Sequence, residues 1–231
     1  MTSFELILGE LQQDSAFELS FRIRQPQPSA PQSLMVLLHG VGCSEMDMVD
    51  IAAGISPDTL VVLARGPLTL GLGKFAWFRV VFTPSGPQIE EAEAESSRLT
   101  LLRFIKKIQI AFQIQPNRTV VAGFSQGGIM SASVALSEPE VVSGFGLLCG
   151  RILPELQTHL ANKSRLKKIH AFVGHGDFDN TLPVVWAERS EKLLKDLEVE
   201  FESHRYPVGH SISSEMRAEF LRWLNAKAMA S

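Results

Sequence analysis

Thr119-Val-Val-Ala-Gly-Phe-Ser-Gln-Gly-Gly128 decides how this 231-residue chain is read. A short β-branched apolar run ends at Gly123, Ser125 stands two residues on, and an apolar helical stretch, Ile129 to Leu136, opens behind Gln126, Gly127 and Gly128. Strand, sharp turn and helix in that order give the Gly-x-Ser-x-Gly pattern a mechanical meaning, because the elbow pushes the serine oxygen out of the backbone envelope. Side chains at 123 or 127 would crowd such a turn, and Gly128 lets the helix approach the sheet. The pattern is short enough to recur by chance. Partners for Ser125 have to come from the rest of the chain.

Outward from the elbow, Leu34-Met-Val-Leu-Leu38, Thr59-Leu-Val-Val-Leu-Ala64, Val141 to Leu148 and Lys168 to Val173 are apolar runs of strand length. Continuous runs suit strands covered on both faces, which means a parallel sheet flanked by helices. Phe17 to Arg24 and Val199 to Tyr206 alternate apolar with polar residues, as half-exposed strands do, the latter nearer an edge. Between the first two strands, Pro26, Pro28 and Pro31 make residues 25–33 a surface connection.

Helical spacing fills the intervals. Ser44 to Ala53 forms a short helix capped by Ser44. Ile89, Ala92, Ser96, Leu99, Leu102, Ile105 and Ile108 make Pro87 to Gln113 one long amphipathic helix, with Pro87 in its first turn. Glu90, Glu91 and Glu93 then form a solvated helix start rather than a metal site, and Lys106 and Lys107 favour the other end. Pro183 to Leu197 and Ser213 to Lys227 complete the set, the last with Met216, Phe220 and Leu224 inward. Strands alternating with helices give an α/β fold: a mostly parallel sheet with helices on both faces, in one domain over 1–231 with its core at about 17–227. Residues 66–88 read as an irregular pocket wall or lid. Within them Gly71-Leu-Gly73-Lys-Phe-Ala76 matches a dinucleotide fingerprint, but that motif requires a helix at its glycines and an extended stretch follows here.

Composition narrows the function classes. Hydrophobic residues make up 45% and charged residues 20%, ordinary for a globular protein. A net charge of −3 offers no basic field for nucleic acid or anionic lipid. The N-terminal Met1 to Glu10 has acids within its apolar stretch and no basic leader, so neither a signal peptide nor stable membrane insertion is expected. Cys43 and Cys149 lack metal-ligand spacing and read as free thiols in a reducing, cytoplasmic setting.

A serine hydroxyl is a poor nucleophile without a base, and the base needs an orienting carboxylate. In an open α/β sheet such groups lie past the C-terminal ends of strands. Gly174-His-Gly-Asp-Phe-Asp-Asn-Thr-Leu-Pro183 follows one strand, and Pro207-Val-Gly-His210 follows the next. The chain order Ser, Asp, His is that of the α/β-hydrolase arrangement. Backbone donors for an oxyanion are then expected from Gln126, directly after the serine, and from Val41 in the His39-Gly-Val-Gly42 loop after an early strand.

Leu38-His-Gly-Val-Gly42, Ala76-Trp-Phe78, Gly123-Phe-Ser-Gln-Gly-Gly128, His175-Gly-x-x-Asp179-x-x-x-Pro183 and Gly209-His210 together resemble the carboxylesterase/phospholipase group that includes the acyl-protein thioesterases, over about residues 34–225. The resemblance implies an α/β-hydrolase fold without a large cap domain. It also implies Ser125 as nucleophile, Asp179 as orienting acid, His210 as base, and Val41 and Gln126 as oxyanion donors, with no cofactor and no metal. Two departures touch substrate fit: Cys43 stands where the thioesterases usually have aspartate, and Leu182 where they have valine. Members of the group often dimerise, and no apolar stripe here proves or excludes a homodimer.

Rival assignments stay close by. Asp177 shares the acid loop, and family spacing selects Asp179 over it. His175 is a rival base, but it lies in the same loop as the acid, with little geometric freedom. His39 reads as structural, Cys43 as a small pocket-lining residue, and Cys149 as core. Phe75, Trp77 and Phe78 line an acyl pocket or anchor the core. The expected substrate is a small carboxylic ester of short or medium chain, or a thioester, hydrolysed through an acyl-enzyme on Ser125. Acyl-protein thioesterase or lysophospholipase activity uses the same residues, and a non-catalytic ligand-binding protein of hydrolase-like fold is the reading from a different class.

Overall fold

The computed structural model describes residues 7–83 and 86–228. The first part of the N-terminal stretch read above therefore lies outside the described residues. In chain order the strands are β1 (Ile7–Leu8), β2 (Phe21–Gln25), β3 (Ser33–Leu38), β4 (Thr59–Ala64), β5 (Leu68–Gly71), β6 (Lys74–Ala76), β7 (Val80–Thr83), β8 (Gly86–Ile89), β9 (Thr119–Phe124), β10 (Gly144–Leu148), β11 (His170–Gly176) and β12 (Glu200–Tyr206). The helices are α1 (Val49–Ala52), α2 (Glu91–Phe112), α3 (Gln126–Ser137), α4 (Lys163–Leu166), α5 (Val185–Asp196) and α6 (Ser214–Trp223).

Eight strands form the central sheet in the order β1-β2-β4-β3-β9-β10-β11-β12. β1 and β2 pair antiparallel with their neighbours, and the rest of the sheet is parallel. This is the α/β-hydrolase fold. The apolar runs explain it residue by residue. On β3, Leu34, Val36 and Leu38 enter one core with α2, α3 and α5, while Met35 and Leu37 enter a second core with α1 and α6. Side chains alternate across a strand, so a strand buried on both sides must be apolar throughout. As expected, Met216, Phe220 and Leu224 are fully buried.

Four sequence expectations need correction. Residues 66–88 are not irregular: β5–β6 and β7–β8 are two antiparallel hairpins. Gly71 and Gly73 belong to the first of these, which agrees with rejecting a nucleotide fingerprint. Pro87 does not open the long helix. It lies in β8 opposite Phe82, and α2 begins at Glu91. A two-stranded hairpin has free edges, where proline's missing N–H costs no ladder bond. The first long strand begins at Phe21 rather than Phe17, and Phe17 instead packs edge-on against Phe21 and Phe104. Lys107 reaches Glu18 and the Ala16 carbonyl rather than the helix end, which Gln113 closes in a left-handed conformation.

Candidate active site

β9 delivers Ser125 on a strained backbone, φ 52° and ψ −115°, in a region a non-glycine residue occupies only when its surroundings hold it there. The surroundings are tight. A Cβ on Gly123 would lie 2.4 Å from the Gly127 carbonyl carbon, and one on Gly127 would lie 2.1 Å from the Leu38 carbonyl oxygen. The elbow thus closes onto β3 because both positions lack side chains. The Ser125 N–H donates to the Leu148 carbonyl at 2.8 Å, which ties the turn to β10.

His210 and Asp179 converge on the serine from the loops after β12 and β11. His210 Nε2 lies 2.9 Å from Ser125 Oγ, and its Nδ1 lies 2.6 Å from Asp179 Oδ2. The carboxylate accepts from Nδ1–H, so Nε2 is left as the acceptor for the serine hydroxyl. Asp179 is held in turn: Oδ1 accepts from the N–H groups of Thr181 and Leu182 at 2.9 and 2.8 Å. The Phe124 ring lies tilted against the His210 ring, centroids 4.9 Å apart, and limits its rotation.

The rivals are placed elsewhere. His175 is fully buried with Nε2 donating to the Leu182 carbonyl at 2.7 Å, and burial pushes its pKa down. It props the acid loop from behind, 3.4 Å from Asp179. Asp177 has an exposed side chain, and its N–H is bonded to the Tyr206 carbonyl. His39 Nδ1 donates to the Gly40 carbonyl and Nε2 accepts from Gly66 N–H, so this ring is neutral and structural. Burial lowers its pKa as well.

Val41 and Gln126 both border the cleft beside Ser125. Their N–H groups have no backbone partner among the described residues; Gln126 is the first residue of α3, where helical N–H groups are unpaired by construction. The Gln126 side chain does something the sequence did not disclose. Its Oε1 accepts from Trp77 N–H and its Nε2 donates to the Phe78 carbonyl, at 2.8 and 2.7 Å. The elbow is thereby stapled to the chain between the two hairpins.

Two cavities flank the serine–histidine pair. The narrow one, about 20 Å³, is bounded by Val41, Phe78, Ile129, Arg151 and Leu182, with Val80, Pro87 and Ile89 of the second hairpin. The wide one, about 310 Å³, is bounded by Cys43, Met48, Ile51, Phe124, His210 and Ile212, with Asp47, Asp50 and Arg217 at its polar margin. Phe78, Leu182 and Cys43 are therefore wall residues. Trp77 is a core anchor instead: it is fully buried and its indole N–H donates to the His39 carbonyl. Phe75 borders neither cavity. Its backbone bonds Gly42 N–H and the Cys43 carbonyl, and its ring lies 4.3 Å under the Arg65 guanidinium, so it braces the Val41 loop. Burial and the Asp47 charge push the Cys43 thiol up, away from reactivity. Burial, with the nearby Asp179 charge, pushes Cys149 up to about 12. Among the described residues no group of three or more His, Cys, Asp or Glu is arranged to hold a metal ion.

Sequence reasoning missed Arg151, which lies just past the C-terminal end of β10. The strand-end rule that located Asp179 and His210 reaches it too.

A family model described as phospholipase/carboxylesterase matches residues 20–227. The chain belongs to this family. The carboxylesterase-family enzyme is 26% identical over 198 residues to an acyl-protein thioesterase 1 of Emericella nidulans, covering 77% of this chain and 82% of that one. It is 28% identical over 213 residues to an acyl-protein thioesterase 1 of Mycosarcoma maydis, covering 80% and 87%. In structure it is similar to a carboxylesterase from Mesorhizobium loti, with a TM-score of 0.80 at 22% identity over 94% of this chain and 98% of that one. It is a serine hydrolase of the carboxylesterase type. No described helix is long and apolar enough to cross a membrane.

Proposed function

We propose that this carboxylesterase-family enzyme hydrolyses short-chain carboxylic esters through an acyl-enzyme on Ser125. The observation that carries the reading is the continuous hydrogen-bonded line from Ser125 Oγ through His210 to Asp179. His210 Nε2 takes the hydroxyl proton as Ser125 attacks the carbonyl carbon, and Asp179 stabilises the imidazolium that forms. The N–H groups of Val41 and Gln126 receive the negative oxygen of the tetrahedral intermediate; one such donor is typically worth about 10²–10³ in rate. His210 then returns the proton to the leaving alcohol. Water, deprotonated by the same ring, releases the acid and restores the serine.

The leaving oxygen must lie within reach of His210, and His210 borders the wide cavity. The alcohol half accordingly occupies the wide side and the acyl half the narrow one. At about 20 Å³ the narrow cleft has room for roughly one water-sized group. That supports a short acyl chain over the long acyl groups of a lipid. Thioesters would pass through the same steps, and the two thioesterase relatives favour testing them alongside. The two free thiols support a cytoplasmic setting.

Exposure to a fluorophosphonate, read by intact mass and peptide mapping, is expected to give one adduct on Ser125. An unlabelled protein, or a label on another residue, would overturn the mechanism.

A further inference from the structure

Glu45 is a fully buried carboxylate that the chemistry above leaves unused. Arg65 Nε and Nη2 grip its two oxygens, each at 2.7 Å, and Arg22 Nε reaches Oε1 at 2.9 Å. Burial works against the charge, and hydrogen bonds from the two guanidiniums overcome it, holding the carboxyl below its ordinary pKa. A buried ion pair is weak evidence of stability, since apolar residues of like volume often do as well. What the two-pronged contact supplies is direction, because it fixes the plane of the arginine.

That plane lies against Phe75, with the Arg65 guanidinium carbon 4.3 Å from the ring centre. The Phe75 backbone faces the oxyanion loop: its carbonyl accepts from Gly42 N–H at 2.8 Å, and its N–H donates to the Cys43 carbonyl at 2.9 Å. Glu45 stands two residues beyond Cys43, so the contacts close into a ring, from Glu45 to Arg65, to Phe75, to Gly42 and Cys43, and back along the chain. Gly42 is in the left-handed region, φ 75°, and the space beside it is open, so packing does not hold the loop there. Val41 lies between two tethered peptide units. On one side the Gly40 carbonyl accepts from His39 Nδ1, and on the other Gly42 N–H is held by Phe75. The Gly40 carbonyl and the Val41 N–H share one planar unit, so fixing the planes on both sides of Val41 fixes where its N–H points.

We infer that Arg65, clamped by Glu45 and acting through Phe75, is a positioning residue that aims the Val41 N–H at the oxyanion. This rests on the acyl-enzyme reading, with Val41 as one of the two donors. Arg65 touches no reacting atom. Its work is to keep one donor in place before the negative charge develops.

The test compares two inhibitors, 4-phenylbutan-2-one and its 1,1,1-trifluoro analogue, with p-nitrophenyl acetate as substrate. Ser125 Oγ adds to the fluorinated carbonyl carbon, its proton passes to His210, and the carbonyl oxygen takes the negative charge; the plain ketone binds without that step. The wild type is expected to bind the fluorinated ketone at least ~100-fold more tightly. Arg65→Met should lower both that ratio and kcat by about 10-fold, a fraction of the 10²–10³ for outright loss of a donor. KM and the plain-ketone affinity should stay within about 2-fold, as expected when only the transition state loses an interaction. Arg65→Lys keeps the charge without the planar fork and should recover only part of the loss. A ratio unchanged in Arg65→Met, or equal weakening of both ketones, would mark Arg65 as merely structural and overturn the assignment. Phe75→Leu leaves the ion pair intact and tests the same route should the arginine variant fold poorly: it should lower the ratio by a similar factor, and an unchanged ratio overturns the proposal. Combining the two substitutions should add little, whereas fully additive losses would refute a path through Phe75. A wild-type enzyme with no preference for the fluorinated ketone would sink the oxyanion reading beneath the proposal; a preference that Arg65→Met leaves intact sinks the Arg65 assignment alone.

Discussion

The two cavities beside Ser125 differ by more than size. The narrow one is walled by the second hairpin, α3 and the acid loop, is mostly apolar with Arg151 as its one charged wall residue, and measures about 20 Å³. The wide one lies between the Val41–Cys43 loop, α1 and the histidine loop, carries charges at its margin, and measures about 310 Å³. A reaction centre between unequal spaces discriminates unequally. Packed walls respond to single methylene groups, whereas an open, partly polar cavity leaves room for many shapes. Selectivity is therefore expected to reside in the acyl half, with tolerance in the alcohol half.

The largest expected effect makes no distinction between the two sides. Ser125→Ala should lower kcat by about 10⁵ or more on every ester, since losing a nucleophile costs several powers of ten. Retention of more than about 10% of the activity on any substrate would locate the chemistry elsewhere.

Next comes the contrast itself. Lengthening a neutral acyl chain from two to eight carbons should reduce kcat/KM by at least ~10-fold, and the same lengthening of the alcohol should change it by less than about 3-fold. One unwelcome methylene in a filled pocket costs ~1–3 kcal/mol. Equal tolerance on both sides, measured in a matched series, would dissolve the distinction.

Wall substitutions should move the two halves independently. Leu182→Ala enlarges the narrow cleft and should shift the preferred acyl length upward by about two carbons, at a stability cost of about 2–5 kcal/mol for a buried leucine. Cys43→Phe should instead penalise bulky alcohols more than ethanol. If either substitution altered the half assigned to the other, the orientation of the substrate would be reversed.

The smallest effect joins the two sides. His39 braces the loop of Val41 and Cys43, and His175 braces the loop of Asp179 and Leu182. Burial depresses both pKa values below the ordinary 6.5, so in the folded state each ring binds a proton less readily than when unfolded. Their contribution to stability is complete above about pH 6.5 and is lost as the pH falls toward the folded values. Denaturant midpoints should decline as the pH falls from about 6.5 to about 5, and less steeply in His175→Gln. A flat profile would contradict the neutral, buried assignment of these rings.

The sheet was legible because burial on both faces leaves a one-dimensional trace. Leu34 to Leu38 has to be apolar at every position if Leu34, Val36 and Leu38 serve one core and Met35 and Leu37 the other. Ser125, Asp179 and His210 were legible because each follows a strand at the same end of the sheet. The hairpins were not, since strands of three or four residues carry too little periodicity, and Pro87 satisfies a helix start as readily as a hairpin edge. Arg151 also follows a strand end, yet nothing else in the sequence singles it out. A single arginine among apolar residues gives no pattern, and its want of a partner emerges only from packing.

The Gln126 staple has a consequence for how the enzyme could acquire new preferences. It pins the chain at Trp77 and Phe78, just before the hairpin that walls the narrow cleft, and Arg79 N–H and Glu90 N–H fasten the hairpin base to Glu93 and to the Arg79 carbonyl. Anchored at both feet, the hairpin is ill suited to swing open as a gate. Natural or laboratory divergence would then proceed by exchanging the side chains at Val80, Pro87 and Ile89 on a stationary frame, one acyl preference at a time.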